Sequence, residues 1–196
     1  MQSPKTTPGR RHKSYNDSHQ EMIETAVRLI SERGVGALSI SAVARSMGID
    51  RTTVYYHFDG LEALIAAVKA WSSEQLAKAF KFDATLEERI DYTTRYVLEN
   101  PELMKLWMDD FISGNDIRKS YPYWDAMVEG MTIRNSRNPD DLIDAEIYYV
   151  NLLTSAIIGP RVFKNSVCPT ADAETIVRRF RAERLRLLKE SALLQD

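Results

Sequence analysis

From residue 18 to residue 188 the apolar side chains return every three or four positions, and no segment alternates over a sustained run. A strand needs a period of two to turn one face to a core, whereas a helix needs a stripe near period 3.6. The chain is therefore predicted to be all-α, and its breaks divide it into about nine helices. Ser18 and Glu21 have the spacing of a capping box. His19, Met22, Ile23, Ala26, Val27 and Ile30 then keep helical register up to a stop at Gly34. Ser39 is placed to cap a short helix with Ile40, Val43, Ala44 and Met47 on one face. Gly48-Ile49-Asp50 interrupts the pattern, and Asp50 is placed to cap a third short helix from Arg51. Beyond Gly60 the spacing predicts helices over about 61–81, 84–99, 101–114, 123–137 and 140–165. The start signals are Asn100-Pro101-Glu102 and Asn138-Pro139-Asp140-Asp141. Thr170 is placed to cap a last helix carrying Ala173, Ile176, Val177, Phe180, Arg184, Leu187 and Leu188 on one face. Gly159-Pro160 predicts a kink or an end in the helix before it.

Composition narrows the classes. With 196 residues, 44% hydrophobic and 28% charged, the chain is long enough to bury a core without disulfides or metals. Its single cysteine, Cys168, has no internal partner, which fits a reducing compartment. No apolar run approaches the roughly 18 residues of a membrane span, and MQSPKTTPGRRHK lacks the apolar centre of a secretory signal. A cytoplasmic protein with no membrane partner is expected. The net charge is −2, but residues 1–60 hold eight basic against six acidic side chains, and the rest eighteen against twenty-two. Lys5, Arg10, Arg11 and Lys13 lie in a stretch with no acid, so the basic end suits a polyanion. The domain reading is a disordered basic arm over 1–15, a three-helix head over 16–60, and a helical body over 61–196.

Two short helices around a three-residue, glycine-containing turn form a helix-turn-helix, whose second helix lies in the DNA major groove. Val54 and Phe58, four apart, are expected inward. That leaves Thr52, Thr53, Tyr56 and His57 outward, where hydroxyls and methyls suit base edges and Tyr and His suit phosphates. The stretch GALSISAVARSMGIDRTTVYYHF resembles the DNA-binding signature of TetR-family transcriptional regulators over roughly residues 19–60. The resemblance rests on Gly34, Leu38-Ser39, Ala44, Gly48-Ile49 and Val54-Tyr55-x-His57-Phe58. It implies a homodimer that reads double-stranded DNA, with Thr52, Thr53 and Tyr56 near bases and Arg51, Tyr55 and His57 on phosphates. Ser39 and Ser41 join the candidate DNA-binding residues, as do Arg10, Arg11 and Lys13 of the arm. Asp59 departs from the family, which often carries lysine near this point. It is expected to cap the fourth helix and to weaken that element's hold on the DNA backbone.

The resemblance also implies a cavity in the body that takes a small, largely apolar effector. Trp71, Tyr92, Tyr96, Trp107, Phe111, Trp124, Met127, Met131 and Tyr148 are the candidates for its walls, with Asn151 and Thr154 as polar contacts. The last two helices are expected to pair with those of a second copy. The arginines of the final helix are read as a solvated face paired with Glu174, Glu183 and Glu190. No catalytic triad, phosphate loop or zinc spacing appears, and His12, His19 and His57 do not form a ligand set. Glu87/Glu88 and Asp109/Asp110 adjoin in sequence and so point apart on a helix. No enzyme, metal or cofactor is predicted. The expected function is a transcriptional regulator, read as a repressor released by its effector. The alternative is a helical ligand-binding dimer with a weakened reading head.

Overall fold

The computed structural model describes residues 14–78, 84–114, 116–121, 123–137, 139–140 and 142–190. Among them stand ten α-helices and no strand. The head holds α1 (Tyr15–Arg33), α2 (Ile40–Met47) and α3 (Arg51–His57). The body holds α4 (Leu61–Ala77), α5 (Leu86–Glu99), α6 (Pro101–Ile112), α7 (Ile117–Ser120), α8 (Trp124–Arg137), α9 (Ala145–Val162) and α10 (Ala173–Glu190). The single turn of α7 accounts for the count above nine. Arg10, Arg11 and Lys13 lie outside the described residues.

Several helix starts differ from the sequence reading, each for a local reason. α1 begins one turn early, because Ser14 rather than Ser18 closes the capping box. The Asp17 N–H donates to Ser14 Oγ at 3.2 Å and the Ser14 N–H to Asp17 Oδ2 at 3.3 Å. Tyr15 therefore belongs to a helix and not to the arm. At the start of α4 the cap position falls to Gly60, so Asp59 stays exposed and caps nothing. α9 begins at Ala145 rather than near residue 140. The Asn135 side chain grips the Ile143 backbone, donating to its carbonyl at 2.7 Å and accepting from its N–H at 3.1 Å. Asp144 then caps the helix by accepting from the Ile147 N–H. In the same way Asp172, not Thr170, starts α10, accepting from the Thr175 N–H at 2.8 Å and hydroxyl at 2.9 Å.

Pro160 neither kinks α9 to an end nor leaves it. It is buried inside the helix, which widens one residue past Val162 into a π-helical turn, Phe163–Val167. The Cys168 N–H closes that turn on the Phe163 carbonyl at 2.8 Å. A proline withholds one i→i−4 bond, and a wider turn restores pairing to the carbonyls that follow.

One buried apolar cluster runs from Met22 of α1 through Val54, Leu64 and Val97 to Trp107 and Ile157. Head and body therefore share a core rather than meeting at a polar seam. Trp107 anchors it: the indole is 2% exposed and donates to Ser72 Oγ at 3.1 Å, and that hydroxyl pairs with the Tyr96 hydroxyl at 2.9 Å. One buried polar chain thus ties α6, α4 and α5, each member satisfied. α10 packs along α5, burying Ile176 and Val177 and adding the pairs Arg95–Glu174 and Arg181–Asp91.

Candidate functional site

The head presents α3 outward through two local devices. Gly48 ends α2 at φ 66°, a left-handed conformation that costs a side-chain-bearing residue energy. The Ile49 N–H returns to the Ala44 carbonyl at 3.0 Å and fixes the turn. Ser39 caps α2, its Oγ accepting from the Ala42 N–H at 3.1 Å, so that hydroxyl is committed to structure. Ser41 is half-buried beside it. Asp50 occupies the cap position of α3 without a side-chain bond. Val54 and Phe58 are buried as expected, at 0% and 4% exposure. Arg51, Thr52, Thr53, Tyr55 and Tyr56 are all exposed, the two tyrosines by 56% and 74%. Tyr55 and Tyr56 are thus the large aromatic side chains that α3 leaves in solvent.

The first turns of α1 brace the far end of α3. The Tyr15 ring stacks on His57 with centroids 4.2 Å apart and meets Tyr56 edge-on at 5.6 Å. His19 stacks on Phe58 at 4.4 Å and lies 5.7 Å from His57. His57 is half-buried, and burial, followed by the neighbouring His19, holds its imidazole below the usual histidine value. Its ring is thus disposed as a neutral, stacked group. Tyr15 is the member of this site that sequence reading left in the arm. Its signal was the Tyr15/His19 pair at i and i+4. Arg28 adds a brace from α1 to α2, donating to Ser46 Oγ at 2.9 Å.

The body holds a pocket of about 340 Å³ walled by α5, α8, α9 and α10, with Leu76 and Tyr121 at its edge. Half of the lining residues are aliphatic, including Leu86, Ile90, Leu152, Leu153, Ile157 and Leu188. Met127, Met131 and Tyr148 are the predicted residues that line it. The other eight do not. Trp107 and Trp124 are core, and Trp71 and Phe111 pack against that core. Tyr96 is bound to Ser72, and burial pushes its phenol up to about 12. Tyr92 donates to the Gln75 carbonyl at 2.9 Å. Asn151 and Thr154 face away from the pocket, exposed, and the Thr154 hydroxyl turns back onto the Val150 carbonyl.

Sequence reading missed Tyr121, Tyr149, Arg89 and Arg184 in this wall. Arg184 had left a signal, standing four residues after Phe180 within the apolar stripe of α10. Burial raises the phenol pKa of Tyr148 and Tyr149, so both remain neutral donors at neutral pH. The rest of that stripe is also used within the chain: Ile176 and Val177 are buried and Leu188 lines the pocket, while Leu187 is 50% exposed. Outward apolar side chains also stand on α9, where Ile147, Val150 and Val162 are exposed. Of the arginines of α10, Arg186 pairs within the helix with Glu183 and Glu190, and Arg179 lies over the Phe163 ring at 4.6 Å. Glu174 pairs across to Arg95 of α5.

Among the described residues no group of three or more His, Cys, Asp or Glu could hold a metal ion, and no helix is long and apolar enough to cross a membrane. A three-helix head with one exposed short helix stands on an all-α body with an apolar pocket, a helix-turn-helix architecture. Residues 22–68 match the family model for bacterial regulatory proteins of the tetR family. The fold matches a tetR-family transcriptional regulator from Streptomyces coelicolor at TM-score 0.66 and 18% identity, covering 92% of this chain and 84% of that one. It also matches the fatty acid degradation regulator FadR from Bacillus halodurans at TM-score 0.61 and 14% identity, covering 87% and 95%. A TetR/AcrR-family regulator from Thermobifida fusca aligns at TM-score 0.56 and 21% identity, covering 85% and 96%. At these identities the likeness speaks for the fold. No curated protein matches the chain in sequence. The head thus matches the tetR family model over residues 22–68, and the whole fold is that of the tetR-family structures it resembles.

Proposed function

We propose that this chain is a cytoplasmic repressor that binds a pseudo-palindromic operator as a homodimer and leaves it when the body pocket is filled. The observation that carries the reading is the exposed face of α3, with Arg51, Thr52, Thr53, Tyr55 and Tyr56 in solvent and Val54 and Phe58 holding the helix to the core. Threonine and tyrosine at the start and middle of a recognition helix address base edges and phosphates. Two such helices in a dimer would sit about 34–36 Å apart, one turn of DNA.

The dimer surface we assign is the outward apolar side of α9, Ile147, Val150 and Val162, together with the exposed Leu187 of α10. Asn151 and Thr154 then become polar contacts between copies. Communication between the sites runs through α6, which packs on α1 on one side and on α9, a wall of the pocket, on the other. A ligand shifts such an equilibrium only by its difference in affinity for the two states, about 1.4 kcal/mol for each tenfold.

The test is fluorescence anisotropy on the intergenic DNA beside the protein's own gene, against excess non-specific duplex at two salt concentrations. Saturable binding that survives the competitor supports a sequence-reading regulator, and binding abolished by it contradicts one. The second reading, a ligand-binding dimer with a weakened head, is favoured by exposed Asp59, an acid where phosphates would approach. Val150→Glu should split the dimer in sedimentation velocity under either reading.

A further inference from the structure

The pocket of about 340 Å³ contains a guanidinium nitrogen with no hydrogen-bond partner among the described residues. Arg184 of α10 lines this largely apolar pocket, and its Nη2 is buried without a hydrogen-bond acceptor among the described residues. Its strongest influence is burial itself, and Tyr148 is the titratable neighbour that acts on it. Arg89 stands in the same wall, with its Nε donating to the Ala84 carbonyl at 3.1 Å. Among the described residues the lining includes two guanidinium groups and no carboxylate. Guanidinium does not deprotonate in proteins, so burial cannot be relieved by neutralising it. A buried charge without a partner is costly, and native structures keep one where something else completes it.

We infer that the pocket takes an apolar carboxylic acid, its carboxylate on Arg184 and its hydrocarbon body among Ile90, Leu153 and Ile157. This rests on the reading of the pocket as the effector site and names the class of effector. A carboxylate matches the planar fork of guanidinium with two parallel hydrogen bonds, which an alcohol or an amide cannot supply. The Tyr148 phenol adds a neutral donor on the same side of the pocket. The volume lies at the small end of the ~300–1,000 Å³ of small-molecule sites, which suits a medium-sized acid. Met127 and Met131 give that end of the wall an adaptable shape.

The experiment is calorimetric titration of the full chain with hexanoate, octanoate and decanoate, each against the alcohol of the same length. The acids should bind more tightly than their alcohols by roughly tenfold to a hundredfold. In Arg184→Met the acid should lose that advantage while the alcohol binds as before, and Arg184→Lys should keep part of it. Alcohols binding the native chain as well as acids would overturn the inference, as would an acid preference that survives Arg184→Met or no binding by any acid. The native comparison of acid with alcohol decides the matter even if a variant fails to fold. Arg184-dependent acid binding that leaves a DNA complex intact would uphold the acid site and refute its role as the release switch.

Discussion

The two sites of this molecule are built by opposite means. The exposed face of α3 is what remains when Val54 and Phe58 have been packed away, so its residues lie within one short helix and point to solvent. The pocket is what remains when four helices fail to fill the space between them, so its residues come from positions as far apart as Leu76 and Leu188. The face exposes hydroxyls and aromatics at little cost, because water satisfies them. The pocket buries a guanidinium, and nothing in its described surroundings satisfies it. An outward site can be shaped by local sequence, whereas an inward site trades stability for a vacancy.

That contrast can be broken first at Trp107, an aromatic that resembles a pocket residue in sequence and is core in the structure. Trp107→Ala should destabilise the chain by about 3–5 kcal/mol in urea unfolding, through lost burial and an unpaired Ser72–Tyr96 chain. Asn151→Ala and Thr154→Ala, on the outward side of α9, should each change monomer stability by less than about 0.5 kcal/mol. At Arg184 the sign reverses. Arg184→Met should stabilise the ligand-free chain by roughly 1 kcal/mol in the same measurement, since it removes a buried, unmatched charge.

Smaller effects sharpen the account of the head. Asp59→Lys should tighten DNA binding severalfold and steepen its salt dependence by about one phosphate contact, read from anisotropy across a salt series. The pH effect is smaller still. His57, facing Tyr15, His19 and Tyr56, has a folded pKa below the ordinary histidine value of 6.5. The unfolded chain therefore takes the proton first. The contribution is present above pH 6.5 and is lost as the pH falls through the folded value. The melting temperature should fall between about pH 7 and about pH 5, and less so in His57→Gln.

The fold and the exposed face of α3 were legible because both are written locally. Val54 and Phe58 at i and i+4, set against Gly48, determine which side of α3 is free. Helix starts were less legible, since Ser14, Asp144 and Asp172 each have a rival capping residue within a few positions. The choice fell to contacts such as the grip of Asn135 on Ile143, which connects different elements. The pocket was the least legible. α9 is apolar on two sides, one lining the cavity through Tyr148, Leu152 and Ile157 and one turned outward through Ile147, Val150 and Val162. Polarity among apolar neighbours thus could not say which side Asn151 and Thr154 occupy. Arg184 gave the better clue, a charge inside an apolar stripe.

The most direct test of the central claim replaces the exposed face of α3 and leaves its packing alone. Thr52→Ala, Thr53→Ala and Tyr56→Ala are combined, and anisotropy is measured on the DNA the native chain selects and on an unrelated duplex. Good base contacts are worth about 1–3 kcal/mol each, so affinity for the selected DNA should fall to that for unrelated duplex, with the urea midpoint nearly unchanged. A folded triple variant that still prefers the selected DNA would contradict the account.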